Sequence, residues 1–162
     1  MTLKILKYPN ESLDNATQPV LEVDDHLINE IHEMFDIMYN SNGVGLAANQ
    51  VGLDKSVLVF DCSEDGESPT CMINPVIKSF SGTATFQEGC LSFPGISLFV
   101  SRSQKIIVDY LDINSEKVTK TFKGLEAICI QHEIDHLHGK TFLNRVNRQA
   151  RRSALRNLRR KK

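Results

Sequence analysis

The hydrophobic pattern predicts one long helix near the start of the chain. Six apolar residues between positions 24 and 40 recur at helical spacing: Leu27, Ile28, Ile31, Met34, Phe35 and Met38. Asp24 or Asp25 precedes them and suits the first position of a helix. We therefore predict an amphipathic helix that begins at one of these aspartates, followed by a Gly-rich loop at residues 41–52.

Strand patterns dominate the middle of the chain. Residues 55–61 and 70–82 each predict a strand, and residues 104–122 predict a hairpin that turns near Asp112–Ser115. The strands follow one another and do not alternate with helices. We therefore expect a single α+β domain with helices packed on antiparallel or mixed sheets.

A second helix is predicted at residues 125–138, around the stretch "CIQHEIDHLHG" (129–139). Leu125, Ile128 and Cys129 precede the histidines at helical spacing, and Leu137 follows them. Gly139 suits the left-handed position that ends many helices. The apolar residues around the motif predict that this helix is buried.

The same helix carries the pattern HExxH. His132 and His136 are four residues apart, so they share one face of a helix and can bind one ion, while Glu133 can reach a water on it. The alternative is a chance match. Buried histidines without partners are costly, however, and a metal ion would satisfy both.

Two cysteines are candidates for the third metal ligand. Cys129 is seven residues from His136, about 10 Å along a helix axis, which favours a small buried core residue. Cys90 follows Gly89 in a segment that we expect to be an irregular or bulged strand, and a buried structural thiol is the alternative there. His138 points elsewhere, and His26 and His32 are expected at the surface or partly buried.

Composition indicates one globular domain of 162 residues, 41% hydrophobic and 24% charged. We expect no membrane association, because no apolar run approaches the roughly 20 residues of a spanning helix. The first residues lack the apolar core of a signal peptide. Four cysteines without a CxxC pair favour a reducing, cytoplasmic location.

Charge divides the chain into an acidic body and a basic tail. Residues 1–144 hold ten Lys or Arg and all 20 Asp or Glu, net −10, whereas residues 145–162 hold nine Lys or Arg and no acid. Five apolar residues recur at helical spacing through the tail and just before it: Leu143, Val146, Ala150, Ala154 and Leu158. We predict a catalytic part, 1–144, and a basic C-terminal helix, 145–162, that is either a solvated terminus or a docking element.

Three separated segments resemble the three signature motifs of peptide deformylases. They are "GVGLAANQ" (43–50), "EGCLS" (88–92) and "QHEIDHLHG" (131–139), in the family's order. The resemblance extends from residue 1 to about residue 145. It implies one α+β domain with the metal-binding helix packed against sheet. It also implies removal of the formyl group from the N-terminal methionine of new polypeptides.

The resemblance assigns the reacting groups. Cys90, His132 and His136 would bind the metal, and Glu133 would be the general base and acid. Gln50 and the backbone N–H of Leu91 would stabilise the oxyanion. The ligand types alone favour zinc, but the family is associated with Fe²⁺, replaceable by Ni²⁺, Co²⁺ or Zn²⁺.

The resemblance and position also imply a substrate pocket. Its expected residues are Gly43, Val44, Gly45, Phe86, Glu88, Gly89, Leu125, Ile128 and Cys129. Glu88 and Arg102 are expected to form an ion pair that braces Cys90, and Gln131 and Asp135 are candidates to orient the imidazoles. Asn42 and Ser97 stand where some relatives carry an acid and an arginine over the substrate.

The expected partners are N-formyl-Met nascent peptides and, through the tail, the ribosome. We expect a monomer. An HExxH metallopeptidase or aminopeptidase remains a rival interpretation, and so does a non-catalytic ribosome- or RNA-binding relative. A comparison of formyl-Met-Ala-Ser with Met-Ala-Ser as substrates discriminates between the first two.

Overall fold

The computed structural model describes residues 2–160, which form three helices, seven strands and three short 3-10 turns. The helices are α1 (Asp25–Asn40), α2 (Gly124–Leu137) and α3 (Arg148–Arg160). The strands are β1 (Gly45–Ala47), β2 (Val57–Phe60), β3 (Thr70–Ser81), β4 (Ala84–Gly89), β5 (Ser97–Arg102), β6 (Lys105–Leu111) and β7 (Lys117–Lys123). The 3-10 turns are Glu11–Asp14, Ala48–Val51 and Phe142–Arg145.

The strands form two antiparallel sheets. Five strands pair in the order β1-β2-β3-β6-β7, and β4 pairs with β5 in a separate hairpin. The register between β3 and β6 shifts twice, between Ile73 and Val76 and again between Ile77 and Ser79. Such irregularities bend a strand and increase its twist. The two antiparallel sheets and the three helices confirm the predicted α+β fold.

Helix α1 begins as its first residues predict. The Asp24 side chain accepts a hydrogen bond from the Leu27 N–H at 2.8 Å, which caps the helix. Leu27, Ile31, Met34 and Met38 are buried, and they pack in one cluster with residues of β1 and β2. The predicted apolar face is thus the face that packs on the sheet.

Helix α2 is the buried centre of the fold. Every residue from Ala127 to Leu137 is buried, and Ile130 and Ile134 pack in one cluster with apolar residues of β2, β3 and β6. The helix ends before Gly139, which has a φ of 75°. A Cβ at this glycine would lie 2.6 Å from the Asp14 carbonyl oxygen, so both the backbone conformation and the close approach require glycine.

Two sequence predictions are corrected by the structure. The expected Gly-rich loop after α1 contains β1 and the 3-10 turn Ala48–Val51. The expected irregular strand around Cys90 is a regular hairpin, β4–β5, and Cys90 lies just beyond its first strand. Exposed and buried residues alternate along β5, but the sequence does not show this as alternating polar and apolar residues. The exposed position 99 is a phenylalanine, and the buried position 102 is an arginine.

The basic C-terminal helix is confirmed as α3, but it starts later than its apolar spacing suggests. Leu143 belongs to the preceding 3-10 turn, and only Ala154 and Leu158 of the helix are buried. They pack in a cluster with Val100 and Phe142. The predicted boundary at 144/145 lies inside the 3-10 turn, and Lys161 and Lys162 lie outside the described residues. Among residues 2–160, none of the helices has the length and apolar content needed to cross a membrane.

Candidate metal centre

The structure brings Cys90, His132 and His136 together. The thiol and one nitrogen from each imidazole all lie within 4.8 Å of one another, and Cys90 Sγ is 3.3 Å from His136 Nε2. Ligand atoms of one tetrahedral ion lie about 3.5 Å apart, since metal bonds to sulfur and nitrogen are about 2.0–2.3 Å. The chain turns out of β4 immediately before Cys90, which directs this thiol to α2.

The electrostatics of the cluster favour a positive charge. Burial alone would lower the pKa of His132, but Cys90, Glu88 and Glu133 together hold it well above its ordinary value. Burial and the neighbouring His132 hold the pKa of His136 well below its ordinary value, which favours the neutral form of this imidazole. A neutral imidazole and a site that attracts a cation fit a divalent metal.

Glu88 orients one of these imidazoles. Its Oε1 lies 2.8 Å from His132 Nδ1, which leaves Nε2 of that ring for a metal. Arg102 holds the same carboxylate through Nε at 2.6 Å and Nη2 at 3.0 Å, so the ion pair expected from the sequence is present. Burial would raise the pKa of Glu88, but the hydrogen bonds from His132 and Arg102 hold it below its ordinary value.

Gln131 and Asp135 have other partners than the sequence suggested. The Gln131 amide bonds to the backbone of Ser103 and Ala127. Asp135 accepts from Arg102 Nη1 at 2.9 Å and from Arg145 Nη2 at 2.6 Å. These hydrogen bonds hold α2 against neighbouring segments and do not involve the imidazoles. The side chains that contact the imidazoles are Glu88 and Cys90.

Glu133 lies beside the cluster. Its Oε1 is 4.0 Å from His132 Nε2, and its Oε2 is a buried oxygen without a protein hydrogen-bond partner. Burial raises the pKa of this carboxyl to about 7. Gly45 makes the packing possible, because a Cβ there would lie 3.0 Å from Glu133 Oε1 and 2.7 Å from Cys129 Sγ.

Gln50 presents its amide nitrogen to the cluster. Nε2 lies 3.6 Å from Cys90 Sγ and 3.1 Å from Ser92 Oγ, while Oε1 accepts the Ala47 N–H at 2.9 Å. The backbone bond thus fixes which end of the amide faces the centre. Leu91, which follows Cys90, lines the adjacent cavity.

A cavity of about 460 Å³ opens onto Glu133 and His132. All nine expected substrate-binding residues line it: Gly43, Val44, Gly45, Phe86, Glu88, Gly89, Leu125, Ile128 and Cys129. Its rim is apolar, since Val44, Phe86 and Leu125 are each 39–49% exposed. A second cavity, of about 530 Å³, lies beyond Arg102 and Asp135 and includes none of the clustered ligands.

The other cysteine and histidine candidates lie in the environments expected from the sequence. Cys129 is a buried member of the core, as expected, although it also lines the cavity. His26, His32 and His138 are exposed. Asn42 lines the cavity, and the Ser97 hydroxyl accepts from Gln87 Nε2 at 3.3 Å.

Sequence reasoning missed three supporting residues. Asn49 Nδ2 donates to the His136 carbonyl, which ties the first motif to α2. Ser92 is fully buried beneath Gln50, and Arg145 reaches Asp135 from the turn before α3. Asn49 lies inside the motif GVGLAANQ and Ser92 inside EGCLS, and this is the signal that could have identified them. No such signal marked Arg145.

Comparisons with known proteins agree on one family. The family described as polypeptide deformylase matches residues 2–152. The peptide deformylase of Aquifex aeolicus is 46% identical over 158 residues, covering 96% of this chain and 94% of that protein. A Neisseria meningitidis peptide deformylase is 46% identical over 145 residues, covering 90% and 87%.

Solved structures give the same result. A peptide deformylase from Legionella pneumophila superposes with a TM-score of 0.94 at 40% identity, covering 99% of this chain and 95% of that chain. The Ehrlichia chaffeensis peptide deformylase in complex with actinonin gives 0.93 at 36% identity, covering 99% and 98%. Their sequence identity and near-complete coverage, together with the family match, show that this chain belongs to the polypeptide deformylase family.

Proposed function

We propose that the protein hydrolyses the formyl group from the N-terminal formyl-methionine of newly synthesised polypeptides. The observation that carries the proposal is the position of Glu133. It is a buried carboxyl beside the Cys90, His132 and His136 cluster, at the inner end of an apolar cavity. A cavity with a few convergent polar groups is the usual form of a small-ligand site.

Cys90, His132 and His136 would hold a divalent metal. When bound, such a metal supplies an activated water and polarises a carbonyl oxygen. Glu133 accepts the proton that the attacking water loses and delivers it to the nitrogen of the leaving amine. A carboxyl whose pKa is about 7 is suited to both transfers near neutral pH.

Two donors would stabilise the oxygen that becomes negative when the formamide is attacked. One is Gln50 Nε2, which faces the cluster because its oxygen is held by the Ala47 N–H. The other is the backbone N–H of Leu91. Each such donor contributes about 3 kcal/mol to transition-state stabilisation in comparable oxyanion sites.

The cavity also fits an N-terminal methionine. Val44, Phe86 and Leu125 form an apolar rim, and Ile128 and Cys129 continue the lining toward Glu133. An unbranched thioether side chain adapts well to such an irregular apolar wall. Asn42 and Ser97 are neutral and cannot form an ion pair over the substrate. The part of the peptide beyond methionine is therefore bound by the apolar rim and by backbone contacts.

For the metal we propose Fe²⁺, replaceable by Ni²⁺, Co²⁺ or Zn²⁺. The mixed thiolate and imidazole set accepts all of these ions, and the choice of iron rests on the family resemblance. Metal analysis of protein purified without oxygen tests it. Faster inactivation of the iron form than of a nickel form in air is expected, whereas equal lifetimes in air and under argon contradict iron.

The proposed partners include the ribosome. Helix α3 carries six arginines, and Arg148, Arg152, Arg156 and Arg159 border one shallow surface. Their charge suits the phosphate-rich surface from which the substrate emerges, and binding of this kind weakens steeply with salt. We accordingly propose a cytoplasmic, monomeric enzyme.

The decisive assay compares formyl-Met-Ala-Ser with Met-Ala-Ser. We expect release of formate from the first peptide and no cleavage of the second. Cleavage of the Met–Ala bond in either peptide would instead support an HExxH aminopeptidase. A metal-loaded protein that acts on neither peptide would support a non-catalytic relative.

A further inference from the structure

Asn49 joins two groups of the centre. It directly precedes Gln50 in the buried 3-10 turn Ala48–Val51, and its side chain donates to the carbonyl of His136, 87 positions further along the chain. The residue is only 2% exposed. Gln50 is the proposed oxyanion donor and His136 is a proposed metal ligand, so Asn49 links two groups whose separation matters for hydrolysis.

The Asn49 amide makes its hydrogen bonds within residues 2–160 through its nitrogen. Nδ2 donates to the His136 carbonyl oxygen, and the carbonyl oxygens of Ser12 and Asn15 each lie 3.4 Å from it. Oδ1 is a buried atom without a partner in this part of the chain. Because three acceptors converge on Nδ2, this position requires a hydrogen-bond donor.

The segment that precedes α1, residues 6–17, is fixed to all three motifs. One backbone carbonyl in each motif accepts a hydrogen bond from it: Asn49 from Ser12 Oγ at 2.9 Å, Ser92 from the Tyr8 N–H at 2.9 Å, and Leu137 from the Thr17 N–H at 2.8 Å. The carbonyls of this segment that face the Asn49 amide are therefore held in place by bonds on both sides of them.

Helix geometry explains why the His136 carbonyl needs an outside donor. The last four carbonyls of a helix have no N–H partner within the helix, and His136 is the next-to-last residue of α2. Its carbonyl accepts from the Gly139 N–H at 2.9 Å and from Asn49 Nδ2. Without the amide, the carbonyl keeps its bond from Gly139, but the hydrogen bond that ties the end of α2 to the Gln50 turn is lost.

We propose that Asn49 is a positioning residue that sets the distance between the Gln50 amide and the metal centre. Its Nδ2 holds α2 at His136, and its backbone carries Gln50, whose Nε2 lies 3.6 Å from Cys90 Sγ. An oxyanion donor acts only within hydrogen-bond reach of the developing charge, and a displacement of about 1 Å can cost about 100-fold in rate. This effect on turnover rests on the proposed function, whereas the hold on the ligand does not.

Binding of Co²⁺ tests the hold on His136. Cobalt is the probe because its visible absorption reports the geometry of thiolate and imidazole ligands. Asn49→Leu fills the space and removes the hydrogen bonds, and Asn49→Ala removes them without overpacking. We expect each folded variant to bind Co²⁺ about tenfold more weakly and to shift its absorption bands.

Asn74→Ala is the matched control for the loss of a structural amide. The Asn74 side chain accepts from the Val20 N–H and donates to the Val20 carbonyl, each at 2.8 Å, and it lies outside the metal cluster and the cavity lining. We expect reduced stability to chemical denaturation but unchanged Co²⁺ affinity and absorption. Wild-type cobalt binding by Asn49→Ala, failure of that variant to fold, or the same cobalt changes in Asn74→Ala would make Asn49 a structural residue and overturn the proposal.

A double-mutant cycle tests the action through Gln50. At saturating Co²⁺, Asn49→Ala should lower kcat on formyl-Met-Ala-Ser about tenfold with little change in KM, because it displaces a donor that acts in the transition state. In a Gln50→Ala background the same substitution should lower kcat by no more than about threefold, since the group that it positions is already absent. Equal losses in both backgrounds would overturn the proposal. If the wild type does not hydrolyse this peptide, the proposed function fails, and cobalt binding still decides the role of Asn49 at His136.

Discussion

Helices α2 and α3 are nearly equal in length, with 14 and 13 residues, but they are opposites in environment. In α2 every residue from Ala127 to Leu137 is buried, including two histidines and two acids. In α3 only Ala154 and Leu158 are buried, and the six arginines are exposed. One helix thus holds its polar groups inside the protein, and the other presents them to water.

This difference decides what each polar residue can do. A buried charge is costly unless the protein supplies partners, so His132 and Asp135 are held by Glu88, Arg102 and Arg145. The exposed arginines of α3 need no partners, and water screens their interactions. Substitutions should therefore have large, specific effects in α2 and small effects in α3.

The largest expected effect is that of Glu133→Ala. It should keep the metal, because all three proposed ligands remain, and it should lower kcat on formyl-Met-Ala-Ser about 10²–10⁴-fold by removing the proposed proton carrier. Glu126→Ala is the matched control, since Glu126 is an exposed glutamate in the first turn of the same helix. Near-normal turnover by metal-loaded Glu133→Ala would refute the mechanism.

The second expected effect is loss of the metal. Cys90→Ala should empty the site or leave it weakly filled, because one of the three proposed ligands is removed. Cys129→Ala should retain the metal, since its thiol lies outside the cluster and contacts the Val44 carbonyl. Metal content after gel filtration measures both. The opposite pattern would show that Cys129, and not Cys90, is the metal ligand.

The sequence predicted the parts of the fold that depend on local pattern. The apolar spacing of α1, the Gly139 terminus of α2 and the turn between β6 and β7 are all as expected. The three motifs also identified the clustered residues, although their roles remain predictions. Each of these signals is contained in fewer than 20 consecutive residues.

The contacts that support the centre could not be predicted in the same way. The Arg102 pair with Glu88, 14 residues away, was expected from the family resemblance and not from local pattern. The second pair of Arg102, with Asp135 33 residues away, was not expected, because no local pattern shows which acid a distant arginine will meet. The β4–β5 hairpin was missed for a related reason, because it buries Glu88 and Arg102 and exposes Phe99. Binary patterning fails where the buried side chains are charged.

The third prediction concerns that ion pair. Arg102→Met removes the cation from two buried carboxylates, so the free energy of unfolding should fall by about 3–5 kcal/mol. Arg152→Met in α3 should change it by no more than about 0.5 kcal/mol, because Arg152 is exposed. Chemical denaturation measures both variants. Similar losses would show that the buried ion pair between Arg102 and Asp135 of α2 matters no more to stability than an exposed arginine of α3.

The fourth prediction gives the pH dependence of the Arg102 effect. Burial would raise the pKa of both Glu88 and Asp135, but their hydrogen-bond and charge partners hold them below ordinary values. Their stabilising contribution is therefore complete above the unfolded pKa of about 4 and is lost as pH falls through the folded pKa. The difference between wild type and Arg102→Met should shrink below about pH 4. A difference that stays constant down to pH 2 would contradict the role of these carboxylates.

The smallest effect on stability and catalysis is expected from the exposed face of α3. Replacement of Arg148, Arg152, Arg156 and Arg159 by Gln keeps helix propensity and leaves Ala154 and Leu158 buried. Hydrolysis of formyl-Met-Ala-Ser should be unchanged, whereas co-sedimentation with ribosomes at low salt should be lost. Truncation after Asn147 is a coarser test, because it also removes the buried pair.

A salt series separates docking from mere solubility. If the four arginines contact phosphates, wild-type binding should weaken steeply with salt, and each lost contact should reduce that slope by about 1. Restoration of single arginines should then recover binding in steps. Equal ribosome binding by wild type and the Gln variant at every salt concentration would leave α3 as a solvated helix. The contrast with α2 would then lie only in burial and not in function.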